Sequence, residues 1–148
     1  MQNALAVITV VVVGLMVGVE FVVAVFVNPI LDRLPNDGGV HARSDGARVL
    51  GRIMPFWYIG SVVLGSVWAA VGWGGAGASL VAAGTALLVL SVLMSVLLLV
   101  PINKRVATWS HEGVPTDWKQ QVGRWDRLHY LRVGIIVSAF ALFAVALV

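Results

Sequence analysis

Apolar residues run unbroken through four stretches of this chain, and polar residues collect in the gaps between them. The stretches fall at roughly 4–27, 53–73, 78–100 and 129–148, each near the ~20 apolar residues a helix needs to cross a bilayer. Backbone groups in lipid must bond within their own segment, so uninterrupted apolar runs predict helices. The expected fold class is all-α: an integral membrane four-helix bundle, one transmembrane domain over residues 1–148. The first stretch has no basic leader and exceeds the ~7–15 apolar residues of a signal peptide, so it is read as a retained helix.

The polar gaps set the orientation. Arg33, Arg43, Arg48 and Arg52 lie between or beside spans 1 and 2; Lys104, Arg105, Lys119, Arg124, Arg127 and Arg132 lie between spans 3 and 4 or at the entry to span 4. Gly74 to Ser79 carries no basic residue. The positive-inside rule then predicts two cytoplasmic loops, both termini outside, and a multi-pass protein of the cell (plasma) membrane. Residues 35–46, rich in Gly and Asp, read as a flexible connector. Pro115-Thr116-Asp117 reads as a helix start with Thr116 as N-cap, so helix 4 is expected to extend into the cytoplasm from about residue 117.

Each span holds a pair of small residues one turn apart: Gly14/Gly18, Ser61/Gly65, Ser91/Ser95 and Gly134/Ser138. Such pairs let helices approach closely in lipid. Trp57 and Tyr58 stand far enough from Trp73 on span 2 to mark two interfacial aromatic belts. Span 1 ends in Asn28-Pro29-Ile30 and span 3 in Pro101-Ile102-Asn103, an internal echo that fits two parallel hairpins related by an axis along the membrane normal.

Composition narrows the function. Hydrophobic residues make up 59% and charged residues 11% of the 148, against about 25% charged in soluble domains. A soluble enzyme, a disordered chain and a nucleic-acid-binding module are excluded; the net charge of +3 is a topology signal and calls for no nucleic acid. The absence of cysteine removes disulfides and thiol chemistry.

The chemistry-bearing residues concentrate in one layer. Glu20 is the one acid deep in a span, about 24 Å from the outer boundary at 1.5 Å per residue. Arg132 comes out at about the same depth from the other end, with His129 one turn nearer the cytoplasm. Trp118, Trp125, His129 and Arg132 follow steps of seven, four and three and so share a helix face. That stripe suits a planar, weakly acidic organic molecule: Trp125 and Trp118 would stack on it, Arg132 would stabilise an oxyanion, and His129 or Glu20 would move the proton. A structural Glu20–Arg132 pair is the competing reading. No His or Glu spacing supplies a metal site, so neither cofactor nor metal is expected; a metal or haem held by His129 is left open.

The run Pro101-Ile102-Asn103-Lys104-Arg105-Val106, then Trp109, Trp118, Arg124-Trp125-Asp126-Arg127-Leu128-His129 and Arg132, together with Asn28-Pro29, resembles the anthrone-oxygenase-like family of small four-helix membrane proteins. The resemblance covers nearly the whole chain and implies an oxidoreductase, a monooxygenase acting on a planar phenolic or anthrone-type molecule with O2. It implies no flavin or nicotinamide. Asn28, Asn103, Trp109 and Tyr58 join Trp118 and Trp125 as expected substrate contacts. The expected partners are a hydrophobic aromatic small molecule, O2 and the lipid bilayer, with homo-oligomerisation left open. Two other readings stand beside this one: a small proton-coupled multidrug-type exporter using Glu20, and a non-catalytic membrane subunit binding a quinone or lipid.

Overall fold

The computed structural model describes residues 2–148. Four helices are each long and apolar enough to cross a membrane: α1 (Gln2–Leu31), α2 (Gly38–Val71), α3 (Ala78–Glu112) and α4 (Trp118–Leu147). The protein is therefore an all-α, multi-pass membrane protein, without strands among the described residues. Each helix packs on the next and α4 returns to α1, which closes the bundle. Both basic loops lie at one end of it.

The core is centred on Val13, Met16, Leu88, Ile136 and Phe143, all fully buried. Phe143 stacks on Trp68 at 5.7 Å and is met from two helices by glycine. A Cβ on Gly84 would sit 3.1 Å from the Phe143 ring and 3.2 Å from the Ala139 carbonyl; one on Gly65 would sit 3.1 Å from the same ring. Ser61, Gly65 and Ser91 are buried as their spacing predicts. Gly134 and Ser138 are not: both face outward, and the Ser138 hydroxyl donates back to the Gly134 carbonyl at 2.9 Å. Ile136 and Phe143 occupy the inward face of α4 instead.

Two π turns interrupt the bundle, at Val23–Val27 in α1 and Ser95–Leu99 in α3. Each lies just before a proline, Pro29 or Pro101. Proline lacks an N–H and crowds the carbonyl four residues back, and a widened turn relieves both. The extra residue also resets the helix face. In a regular helix, positions eight apart diverge by about 80°; across these turns Glu20 and Asn28, and likewise Ser91 and Leu99, are all buried.

The internal echo extends beyond the prolines. Val23 and Ser95, Pro29 and Pro101, Arg33 and Arg105, Gly51 and Gly123, Arg52 and Arg124, and Tyr58 and Tyr130 are each 72 positions apart. The first hairpin (α1, α2) is thus matched by the second (α3, α4). The seam between α2 and α3 is equivalent to the seam between α4 and α1.

Three local expectations are corrected. Residues 38–46 are no flexible connector; they are the first turns of α2. Arg43 bonds Asp32 and Asp126, and Val40 packs with Val106, Trp109 and Val122, so tertiary contacts override the low helix propensity of Gly38-Gly39. The turn itself is confined to 32–37, where Asn36 adopts a left-handed φ of 55°. Thr116 does not cap α4: the helix starts at Trp118 with Asp117 in the cap position, and the Asp117 carboxylate accepts from Gln121 rather than from the backbone. Trp57 and Tyr58 are not belt residues either. Tyr58 is buried, and Trp57 Nε1 donates to the Val12 carbonyl at 3.1 Å; Trp73 is 80% exposed, as a belt residue should be.

The α1–α2 turn is sterically exact at Gly39, where a Cβ would fall 2.1 Å from the Leu31 carbonyl oxygen. Gly39→Ala should therefore cost about 1–3 kcal/mol, read as a lowered unfolding temperature in detergent. Gly46→Ala, with open space at its Cβ, should be neutral or slightly stabilising.

Candidate functional site

The midsection of the bundle holds a cluster of charged and polar side chains drawn from all four helices. Arg132 of α4 donates from Nη2 to Glu20 Oε2 of α1 at 2.7 Å and from Nη1 to Ser95 Oγ of α3 at 3.0 Å. Ser95 opens the α3 π turn, which is what brings its hydroxyl to this level. The guanidinium lies 5.3 Å from the centre of the Tyr58 ring on α2. Glu20 and Tyr58 are each 4% exposed, so the ion pair stands in low dielectric, where a lone charge would be very costly.

His129 closes the cluster from behind. Arg132 Nη2 donates to His129 Nδ1 at 3.0 Å, which makes Nδ1 the acceptor and leaves the ring hydrogen on Nε2. The 3.5 Å contact between Nδ1 and Glu20 Oε2 is then bridged by the same guanidinium nitrogen. The imidazole stacks on Trp125 with centroids 4.5 Å apart and is fully buried. A cationic guanidinium between the two candidate ligands does not suit a metal ion, and no group of three or more His, Asp or Glu side chains with metal-binding geometry occurs among the described residues.

A cavity of about 400 Å³ opens beside this cluster, between α2 and α3. Its volume falls in the usual range for small-molecule sites, roughly 300–1,000 Å³. Glu20, Arg132 and Tyr58 stand at its inner end; Val19, Met54, Val92 and Leu99 form apolar walls; Trp125 and Asn103 also line it. Glu20 Oε1, Tyr58 Oη and Arg132 Nε are buried without a hydrogen-bond partner among the described residues. Buried polar atoms are normally paired, and these three have bonding capacity to offer at the cavity end.

The structure gathers Glu20, Arg132, Tyr58, Trp125 and Asn103 around this cavity. It keeps four other expected site residues away from the cavity wall. His129 sits behind Arg132. Asn28 donates to Asp126 at 3.0 Å and lines a second cavity of about 90 Å³ nearer the basic end. Trp109 and Trp118 pack with Val40, Val106 and Val122 at that end, and Lys119 covers the Trp118 ring at 5.6 Å. The shared face on α4 is real, but its lower half packs against α2 and the α3 terminus rather than lining a pocket.

Two residues of consequence escape sequence reasoning. Ser95 reads as a small packing residue, and only the π turn turns its hydroxyl to Arg132. Arg43 reads as a loop cation, yet it bonds Asp32 and Asp126, each at 3.0 Å, and ties the start of α2 to the α1–α2 turn and to α4 across the bundle. A signal for it did exist: Asp32 and Asp126 are acids within otherwise basic loop ends.

A family model described as Anthrone oxygenase matches residues 47–142, about two thirds of the chain. That stretch holds α2 from its third turn, all of α3, and α4 through Leu142 with Arg132 included, but not Glu20. Comparison with curated proteins and with solved structures returns no match.

Proposed function

This chain belongs to the anthrone oxygenase family, and from that premise we propose that it is a membrane-embedded oxygenase of the cell membrane that oxidises a planar phenolic or anthrone-type molecule with O2. One observation carries the reading: an apolar cavity ends at a carboxylate with an unpartnered oxygen, beside a guanidinium and a phenol.

An anthrone carries a CH2 between two aryl rings, opposite a carbonyl. Glu20 Oε1 takes one proton from that carbon. The electron pair moves into the ring system and places negative charge on the carbonyl oxygen, where Arg132 Nε and the Tyr58 hydroxyl offer hydrogen bonds; such donors act where charge develops. The electron-rich anion passes an electron to O2, and the resulting pair joins as a carbon–oxygen bond. The proton held by Glu20 returns to the outer oxygen to give a hydroperoxide. Loss of the second carbon-bound proton, with cleavage of the O–O bond, leaves a carbonyl and water. The substrate loses four electrons and O2 gains four, so no external reductant enters.

His129 serves as a positioning residue in this scheme. It accepts from Arg132 and fixes the guanidinium plane, while Trp125 holds the imidazole by stacking. The family match favours the oxygenase reading over the exporter.

The test is oxygen uptake by detergent-purified protein supplied with a simple anthrone, with a strong chelator present. One O2 consumed per quinone formed, above the rate without protein, is the expected result. Uptake that does not exceed that rate rejects the anthrone class.

A further inference from the structure

The two seams of the bundle are equivalent by sequence, yet only one is open. Between α4 and α1, Tyr130 donates to the Ala24 carbonyl at 2.8 Å and Asn28 donates to Asp126, which pins the helices together. Between α2 and α3 the counterpart residues leave the large cavity, and its outer rim carries Arg48, Arg52 and Lys104. Arg48 is engaged with Asp45 and His111. Arg52 and Lys104 are exposed and make no ion pair among the described residues. The counterpart of Lys104 on the closed seam is an acid, Asp32, held by Arg43. Arg124, the counterpart of Arg52, is likewise exposed and without an ion pair among the described residues; what sets the open seam apart is a second free cation, Lys104 in place of the paired Asp32, at the rim of a cavity.

We infer that the α2–α3 seam is a lateral portal whose Arg52 and Lys104 bind an anionic group on the substrate, so that the site takes planar aromatic carboxylates in preference to their neutral counterparts. The inference rests on the oxygenase reading for calling this occupant a substrate. Arg52 precedes Tyr58 by six residues on α2, or about 9 Å of helix rise. An occupant with its reactive carbon against Glu20 and a carboxylate near 9 Å away spans the cavity, with its ring system among Met54, Val92 and Leu99. Its charge stays at the interface while its rings leave the lipid, which avoids the cost of carrying an anion into the bilayer. The positive-inside rule alone accounts for cations at this end of the bundle; it does not account for two of them, Arg52 and Lys104, standing together on the rim of the 400 Å³ cavity.

Binding of anthracene-2-carboxylate, followed by fluorescence in an uncharged detergent, tests this without turnover and so stands whether or not oxygen uptake is found. The neutral probe is 2-hydroxymethylanthracene. Wild-type protein should bind the carboxylate about tenfold more tightly than the alcohol, the scale of two weak interfacial ion pairs. Arg52→Gln/Lys104→Gln should erase that preference and leave alcohol binding within about twofold. Arg33→Gln/Arg127→Gln removes the same charge from the same end but away from the cavity, and should leave both affinities unchanged. Equal affinity of the wild type for both probes overturns the proposal. So does an equal loss in the control variant, which would mark a diffuse surface charge.

Discussion

Glu20→Gln is expected to lower oxygen uptake with an anthrone by about 10²–10⁴-fold, the usual contribution of a positioned general base. The amide is nearly isosteric, and its carbonyl can still accept from Arg132 Nη2, so the bond now measured at 2.7 Å has a neutral replacement. The buried Arg132, 9% exposed, nonetheless loses its counter-charge, so the unfolding temperature should fall as well, and kcat is compared per mole of folded protein. Tyr58→Phe separates the roles further. It removes a hydroxyl without a partner of its own, so it should lower activity less than Glu20→Gln and leave the fold intact. If Glu20→Gln retains most of its turnover, Glu20 is a structural partner of Arg132 and the proton goes elsewhere.

Arg132→Met carries the largest expected effect on stability. It leaves a carboxylate that is 4% exposed without its cation, a class of change that costs about 3–5 kcal/mol. It also strands His129 Nδ1, which now bonds the guanidinium, whereas Ser95 Oγ keeps its bond to the Ser91 carbonyl. The double variant Glu20→Gln/Arg132→Met no longer buries a charge and should recover most of that loss, because well-packed neutral residues often replace a buried pair at little cost. Unfolding in nanodiscs, measured for both single variants and the double, gives the coupling directly. A double variant no more stable than Arg132→Met alone would mean that the pair is not what holds the layer together.

The bundle itself was legible because lipid leaves few choices. Four unbroken apolar runs have to be helices, and their spacing fixes an up-and-down order. Depth counting also placed Glu20, His129 and Arg132 in one layer, since rise per residue is nearly constant along regular helix. Lateral position was harder to read. Trp109 and Trp118 sit on the face that periodicity gives them, but periodicity does not distinguish a face packed on a neighbour from one that lines a cavity. Ser95 and Asn28 lie at or beyond a π turn, where the 100° step per residue no longer holds. Residues 38–46 look like a connector because Gly-Gly and Asp-Gly are locally permissive; the Arg43 bonds that make them helical come from residues 11 and 83 positions away.

Tyr58 and Tyr130 occupy matching positions in the two hairpins and have taken different employment. Tyr130 spends its hydroxyl on the Ala24 carbonyl and latches its seam; Tyr58 keeps its own free at the end of the cavity. A doubled hairpin offers two positions for each role, and stability asks for only one of them. The neighbouring pair follows the same division, with Trp57 fastened to the α1 backbone and His129 set against Arg132. Doubling thus leaves the second seam without the latch that closes the first, and the cavity stands where that latch is missing.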